Sequence, residues 1–238
     1  MNKIWTKLKS SKFSWALMVA LFAVSGLIVA GVVASVFSEA VSTYLNREDV
    51  FDSAVLILFP SILLAYTLYI ASRSAKREGE KVKDLIGLGA PNKKVWWLLP
   101  SVTIIYLVIL VLVMAILQAV SPQVANQEQD VAKTISSLGG LKLAASAISV
   151  CLFTPFAEEF FFRGLIFNRF NKRLSIVISA VLTSVLFALA HGQLNVGLDT
   201  FFFGIALVLL RVQTKSIYPG VALHMAKNIL AFSVILKK

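Results

Sequence analysis

The segment Val95–Val120 reads VWWLLPSVTIIYLVILVLVMAILQAV and contains no charged residue. A helix needs roughly 20 apolar residues to cross a hydrocarbon core of about 30 Å, so this segment is long enough to span a membrane. The whole chain agrees, because 58% of its 238 residues are hydrophobic and only 15% are charged. That composition leaves too little polar surface for a water-soluble globule. We therefore predict an all-α, polytopic transmembrane helix bundle.

Further hydrophobic segments lie on both sides of this one. The predicted spans are residues 13–38, 53–72, 95–120, 143–168, 174–190, 196–212 and 216–236. The fourth is interrupted by three charged residues, and the sixth is shorter and contains Asp199. A cleaved secretory signal is the alternative for the first span, but its apolar core exceeds the usual 7–15 residues. We expect about seven spans, within a range of six to eight.

The positions of lysine and arginine predict the orientation. Basic clusters occupy residues 3–12, 73–94, 169–173 and 211–215, and the loops between them are acidic or mixed. Cytoplasmic loops carry the excess of Lys and Arg, so these clusters should face the cytoplasm together with the N-terminus. The C-terminal Lys237 and Lys238 depart from this alternation. We expect a multi-pass protein of the cell membrane, and the net charge of +11 indicates topology rather than nucleic-acid binding.

The chain divides into two parts that differ in how many ionisable side chains their hydrophobic segments carry. Residues 1–142 should form the N-terminal transmembrane helices and a cytoplasmic amphipathic linker, and residues 143–238 a transmembrane core made from the last four spans, which carries the candidate functional residues. The linker, residues 81–94, mixes apolar and charged side chains before Gly89 and Pro91, which predicts a short interfacial helix. The first three spans carry almost no ionisable side chains.

Charged side chains in the fourth span are the first candidates for function. An ionisable residue at membrane depth is costly, so it usually faces a protein interior or a water-filled cavity. In a helix, Glu159 and Arg163 lie on one face at a spacing that favours an ion pair. Glu158 lies about 100° around the helix from Glu159, needs another partner, and is the candidate base. The alternative is a purely structural polar network of these three residues.

Both histidines of the chain, His191 and His224, lie in the same half. His224 shares a helical face with Asn228. Hydrolysis of an amide needs a base for water and a group that stabilises the oxyanion, and carboxylate, imidazole and amide side chains meet these needs. Counting at 1.5 Å per residue puts Glu158 about 16 Å and His191 about 25 Å from the cytoplasmic ends of their helices. On this count the two residues lie at different depths.

Three motifs in this half resemble a known family. Residues 158–163 match EExxxR, residues 187–191 match FxxxH and residues 224–228 match HxxxN. In this order they resemble the CAAX-protease and bacteriocin-processing (CPBP) family of intramembrane proteases. Gly204 and the stretch TKSIYP at residues 214–219 also resemble that family, with Lys215 where it usually has glycine. The resemblance covers roughly residues 146–232.

The resemblance implies roles for the motif residues. Glu158 and His191 would hold and activate water, and His224 and Asn228 would stabilise the oxyanion. The supporting pair of Glu159 and Arg163 would orient the site. No cofactor is required on this interpretation. Two histidines and a glutamate are also suitable zinc ligands with an open position for water, so a zinc site stays an alternative.

The expected function is intramembrane hydrolysis of a peptide bond. The substrate would be a membrane-associated peptide or protein, with a CAAX-like C-terminus and a bacteriocin leader as the two possibilities left open. The other partner is the lipid bilayer; no nucleic acid is expected, and the oligomeric state is left open. One alternative is a non-proteolytic immunity or regulatory protein that binds a peptide or a sensor. Another is a transporter, but the chain lacks interrupted helices in symmetric halves.

Overall fold

The structure, a computed structural model, describes residues 12–44 and 51–237. Within these residues the chain forms ten helices and no strand, which confirms the predicted all-α bundle. The basic residues Lys3, Lys7 and Lys9 lie outside the described residues, as do residues 45–50 and Lys238.

The helices follow one another with short connections. The first six are α1 (Lys12–Tyr44), α2 (Phe51–Glu78), α3 (Val82–Ile86), α4 (Val95–Val120), α5 (Pro122–Ala125) and α6 (Asp130–Ser136). Helix α7 consists of five successive segments: Gly140–Ile148, Ser149–Phe153, Thr154–Glu158, Glu159–Ile166 and Phe167–Asn171, of which the second and fourth are π-helical. The last three are α8 (Ile176–Leu189), α9 (Leu194–Thr214) and α10 (Tyr218–Ile235).

Five of the described helices are long and apolar enough to cross a membrane. They contain Met18–Tyr44, Ala54–Glu78, Val95–Val120, Lys142–Asn171 and Leu194–Thr214. The two other predicted spans fall on α8, with 14 residues, and α10, with 18 residues. The first is short of the roughly 20 residues that a straight span needs. Polar residues such as Lys227 reduce the hydropathy of α10.

Helix α4 shows how the charge-free segment is used. Its buried residues are Leu98, Val102 and Tyr106, which recur every four residues and form one stripe along the helix. This stripe packs on α9. The other apolar side chains of α4 stay largely exposed, as expected for a helix whose outer surface contacts lipid. Because one face packs on protein and the other faces contact lipid, the segment is hydrophobic all round.

Helices α1 and α2 pack through small residues. Ala23, Ala30 and Ala34 of α1 are completely buried. A Cβ added at Gly26 would lie 2.7 Å from Tyr66 Cε1, so the Tyr66 ring would have to move to make room for any larger residue. Small side chains allow such close approach between helices in lipid, where apolar area alone drives no association.

The predicted cytoplasmic loops meet at one end of the bundle. Arg169 Nη1 lies 3.2 Å from Glu78 Oε1, and Lys172 pairs with the same carboxylate. Asn92 Nδ2 donates to the carbonyl of Gln213 at 2.8 Å. The ends of α2, α7 and α9 therefore lie together, in agreement with the alternation of basic loops. The assignment of this end to the cytoplasm stays a prediction.

The opposite end is closed by the segment before α6. Gln193 Nε2 donates to the carbonyl of Glu128 at 3.1 Å, and Gln193 Oε1 accepts the N–H of Asp130 at 3.2 Å. Asn195 Nδ2 donates to the carbonyl of Gln127 at 2.8 Å. These three bonds fasten the segment to the turn that follows His191.

The linker differs from the expected surface helix. Its helix α3 has only five residues and ends at Gly87, whose φ of 87° is left-handed. Leu85 and Ile86 are buried in the main core. Asn168 Nδ2 donates to the carbonyl of Leu85 at 3.2 Å. Because two apolar side chains pack under α7, the linker supports the core instead of lying freely at an interface.

Candidate active site

The two glutamates lie at the junction between an α-helical and a π-helical segment of α7. The π-helical segment before them has a local cause. The N–H of Thr154 bonds to the carbonyl of Ser149, and Pro155 has no N–H, so the carbonyl of Val150 lacks both nearby backbone donors. Asn228 Nδ2 donates to this carbonyl at 2.8 Å. The asparagine of the HxxxN motif therefore stabilises the irregular part of α7, the kind of distortion often found at functional sites.

The predicted ion pair of α7 is present and completely buried. Arg163 Nη1 lies 2.9 Å from Glu159 Oε1, and the exposed fractions of the two side chains are 0% and 1%. The guanidinium carbon of Arg163 also lies 4.2 Å from the ring centroid of Phe187. The Phe162 ring centroid lies 5.9 Å away, and aromatic faces stabilise a desolvated cation, so Arg163 is held by one carboxylate and two rings.

His224 lies between the two adjacent carboxylates. Its Nδ1 is 3.0 Å from Glu159 Oε1, and its Nε2 is 3.6 Å from Glu158 Oε2. The Glu159 carboxylate, whose charge Arg163 stabilises, accepts a hydrogen bond from Nδ1–H. Nε2 faces Glu158 and carries a lone pair in the neutral imidazole or a proton in the imidazolium. The partner that Glu158 needed is therefore His224.

His191 lies in the turn just beyond the end of α8. Its Nδ1 is 2.8 Å from the carbonyl of Phe187 and must donate, because a carbonyl only accepts. Desolvation by burial lowers the pKa of His191 to about 4, so the ring is neutral at neutral pH. In this tautomer the lone pair is on Nε2, which is free to accept a hydrogen bond from water.

Phe187 joins the three motifs. Its ring centroid lies 4.9 Å from that of His191 and 5.9 Å from that of His224, and it also supports Arg163. The side chain is completely buried. Phe187 belongs to the FxxxH motif, but the sequence alone indicates no role for it. Its position shows that this residue is the packing contact between EExxxR, FxxxH and HxxxN.

A cavity of about 640 Å³ brings the predicted catalytic residues together. Glu158, His191, His224 and Asn228 all line it. Glu158 and His191 therefore line the same cavity despite the different depths expected from counting residues. Glu159 and Arg163 do not line the cavity and lie behind it. The opposite walls are apolar and come from α1, α2 and α6, with Leu27, Ile28, Val55, Leu56, Phe59 and Ile135 among their residues.

Three residues at the cavity or beside it have no role in the sequence analysis. Lys227 Nζ lies 2.8 Å from Asp199 Oδ2, and Tyr106 donates its hydroxyl to Asp199 Oδ1. Asp199 and Lys227 line the cavity, and Tyr106 lies behind them on α4. The sequence did indicate Asp199 and Lys227, because both charges lie inside apolar segments, where charges usually have a function.

The described side chains do not form a preassembled zinc site. In the described part of the chain, no three His, Cys, Asp or Glu side chains are grouped so that they could hold a metal ion. Glu159 accepts a hydrogen bond from Nδ1 of His224, and the carbonyl of Phe187 accepts one from Nδ1 of His191, so each ring has only Nε2 left for a metal ion. Zinc-bound histidines commonly have such partners on the other ring nitrogen, so zinc stays an alternative for the chelator experiment, and no step below involves a metal.

The comparisons with known proteins agree with the motifs. A family model described as type II CAAX prenyl endopeptidase Rce1-like matches residues 140–230. No curated protein and no solved structure matches the chain significantly. The matched residues contain all of α7, α8 and α9, and α10 as far as Leu230, so they include every residue of the three motifs. Over this segment, the chain is similar to the Rce1-like CAAX prenyl endopeptidases.

Proposed function

We propose that the chain is an intramembrane endopeptidase that hydrolyses a peptide bond with water activated by Glu158. The observation that carries this proposal is the approach of His224 Nε2 to 3.6 Å from Glu158 Oε2. This pair lies on a cavity of about 640 Å³ that His191 and Asn228 also line. The match to the Rce1-like family model supports a CAAX-type intramembrane protease in general, while the residue roles and the substrate are part of the proposal.

The water would be held by two acceptors. Glu158 accepts one of its protons, and the lone pair on His191 Nε2 accepts the other in a hydrogen bond. The water oxygen then attacks the carbonyl carbon of the scissile amide. Glu158 takes the proton of the attacking water and transfers it to the leaving nitrogen as the C–N bond breaks.

The oxyanion would be stabilised by two donors on α10. His224 acts in its protonated form, because Nδ1–H already donates to Glu159 and only an imidazolium has a second N–H on Nε2. Two carboxylates then face two cations, Arg163 and His224, and the buried charges balance. Asn228 uses one N–H for Val150 and has a second one left for the oxyanion. Donors fixed in advance in a dry site are the most effective stabilisers of such charge.

The size and polarity of the cavity favour a short peptide segment. A volume of about 640 Å³ lies within the range of about 300–1,000 Å³ typical of pockets for small ligands. The apolar walls from α1 and α2 suit hydrophobic side chains or a lipid group on the peptide. Both a CAAX-like C-terminus and a bacteriocin leader meet these requirements.

The decisive experiment measures cleavage of a quenched peptide library in liposomes. We compare the unmodified chain, Glu158→Gln and the matched control Glu39→Gln, which changes an exposed carboxylate of α1. Each is assayed with and without a chelator. We expect cleavage by the unmodified chain and the control, with at least a hundredfold loss in Glu158→Gln.

Two other outcomes would overturn parts of the proposal. Loss of cleavage on chelation would show that the metal-free mechanism is wrong. Equal cleavage by Glu158→Gln and the unmodified chain would show that Glu158 is not the base. Absence of cleavage by all three variants would favour the non-proteolytic alternative, in which the same cavity binds a peptide without hydrolysing it.

A further inference from the structure

An ion pair between α9 and α10 forms part of the cavity wall. Lys227 Nζ lies 2.8 Å from Asp199 Oδ2, and the exposed fractions of the two side chains are 24% and 16%. Both residues line the cavity that contains Glu158 and His224. The proposed hydrolysis uses neither of them. A charged pair at this depth is costly unless it has a function or a structural role.

Lys227 still has bonding capacity beyond this pair. An ammonium group has three N–H donors, and Asp199 occupies one of them. The ammonium also lies 4.4 Å from the ring centroid of Phe203, which covers one side of it. Asp199 is held independently, because Tyr106 on α4 donates its hydroxyl to the other carboxylate oxygen. Lys227 can therefore bind a second anion without Asp199 leaving its place.

The ammonium is close to the proposed reacting groups. Lys227 follows His224 by three residues and precedes Asn228 on α10, so it lies within one helical turn of both proposed oxyanion donors. Lys227 is the one lysine or arginine among the residues that line the cavity, all of which belong to the described part of the chain. Apart from the His224 imidazolium of the proposed mechanism, an anionic group in this cavity has no other cationic side chain on its walls.

We propose that Lys227 binds a carboxylate of the substrate and so places a nearby peptide bond against Glu158. This inference rests on the proposed function and names one subsite of it. The carboxylate can be the C-terminus of the peptide or an acidic side chain close to the scissile bond. The cavity holds only a short segment, so the bound carboxylate lies within a few residues of the bond that is cut.

A purely structural role for the ion pair makes different predictions. If Asp199 and Lys227 only join α9 to α10, removing either charge should lower stability without changing which peptides bind. If Lys227 is a subsite, the negative charge of Asp199 on the same ammonium repels the substrate carboxylate. Removing the charge of Asp199 should then strengthen the preference for anionic peptides.

The experiment measures binding rather than cleavage. The chain carrying Glu158→Gln is reconstituted in nanodiscs and titrated with a fluorescent apolar hexapeptide in three forms. The three forms are the C-terminal acid, the C-terminal amide, and the amide with glutamate as its last residue. The same titrations are made with Asp199→Asn, Lys227→Arg and the charge-neutral double variant Asp199→Asn/Lys227→Gln. The double variant avoids leaving one buried charge unpaired.

We expect at least one anionic form to bind about tenfold more tightly than the plain amide, a difference of about 1.4 kcal/mol. The preference should persist in Lys227→Arg, increase in Asp199→Asn and disappear in the double variant. Preference for the acid would identify a terminal carboxylate, and preference for the glutamate peptide a side-chain carboxylate. Equal binding of all three forms, no binding of any form, or an unchanged preference in the double variant would overturn the inference.

The binding result is separate from the outcome of the cleavage assay. Glu158→Gln removes the proposed base, so binding does not require hydrolysis. A carboxylate preference that depends on Lys227, together with no cleavage by the unmodified chain, would refute the proposed function alone. Cleavage without any carboxylate preference would refute the subsite alone.

Discussion

His224 donates Nδ1–H to Glu159 Oε1 at 3.0 Å, so the second residue of the glutamate pair is bound to an imidazole and does not face the cavity. The side chain of Glu159 is 1% exposed, whereas that of Glu158 is 14% exposed and lines the cavity. Two adjacent residues of the same type therefore have different structural environments. One holds Arg163 and His224 in place, and the other is available for chemistry.

This difference predicts opposite results for two isosteric substitutions. Glu159→Gln leaves the buried Arg163 without its counter-charge, which should cost about 3–5 kcal/mol of unfolding free energy. Glu158→Gln should abolish cleavage while shifting the Tm by only a few degrees. Thermal unfolding in detergent, followed by tryptophan fluorescence, measures the first effect, and the liposome assay measures the second.

A double variant provides the control for this pair. Glu159→Gln/Arg163→Met removes both charges and should recover much of the stability lost in Glu159→Gln, but not the activity, because His224 still lacks its carboxylate. Equal destabilisation by Glu158→Gln and Glu159→Gln would contradict the assignment and favour a purely structural polar network.

The bond from Asn228 to the carbonyl of Val150 predicts a compensating pair of substitutions. Asn228→Ala leaves that carbonyl without a donor, which should reduce the unfolding free energy by about 1–3 kcal/mol. Pro155→Ala introduces a backbone N–H near the same carbonyl. In the double variant the destabilisation should therefore be smaller than in Asn228→Ala alone, as measured by a double-mutant cycle. Strict additivity would show that Pro155 is not the cause of the unpaired carbonyl.

Close packing of α8 on α9 predicts sensitivity at Gly204. A Cβ there would lie 2.8 Å from Ser184 Oγ and 2.9 Å from its Cβ, so Gly204→Ala should destabilise the chain by about 1–3 kcal/mol. Gly197 on the same helix is the matched control, since its nearest contact would be 3.5 Å from the carbonyl oxygen of Ala188. Gly197→Ala should have little effect on the Tm. Ser184→Gly should relieve the defect of Gly204→Ala, and failure to do so would contradict this packing.

Removal of the Gln193 side chain should cause local opening near the cavity. It makes two hydrogen bonds to the backbone of Glu128 and Asp130, in the segment that leads into α6. Gln193→Ala should remove about 1–2 kcal/mol of local stability and increase amide hydrogen exchange there by about five- to thirtyfold. Exchange in α4 serves as the internal reference and should not change. Unaltered exchange at residues 127–130 would show that Asn195 alone holds the segment.

Much of the fold could be predicted because lipid imposes strong constraints on sequence. A charge-free run such as Val95–Val120 has few alternatives to a spanning helix, since every backbone polar group must be paired inside the segment. The linker was less predictable. Leu85 and Ile86 look like the apolar face of an interfacial helix, but they pack under α7 because Gly164 leaves room for Ile86. Nothing in the local sequence of the linker indicates this distant contact.

Part of the candidate site could be predicted because some of its contacts lie within a single helix. The four-residue spacing of Glu159 and Arg163 implies their ion pair, since that spacing places both side chains on one helical face. The position of His191 was not predictable from counting residues, because α8 begins at Ile176 and the turn after it is fixed by the Phe187 carbonyl and by Gln193. The roles of Asp199 and Lys227 also required the structure, since they lie on different helices.

The sequence by itself determined the membrane-embedded helical class, the sorting of loops by charge, and the three motifs with the residues most suited to hydrolysis. These properties depend on composition and on spacing within one helix, which are local. Only the tertiary structure decided which glutamate faces the cavity, which carbonyl Asn228 satisfies, and that Lys227 lies beside the proposed reacting groups. Those relationships depend on contacts between helices far apart in the chain, and such contacts are set by how the helices pack and not by any one segment.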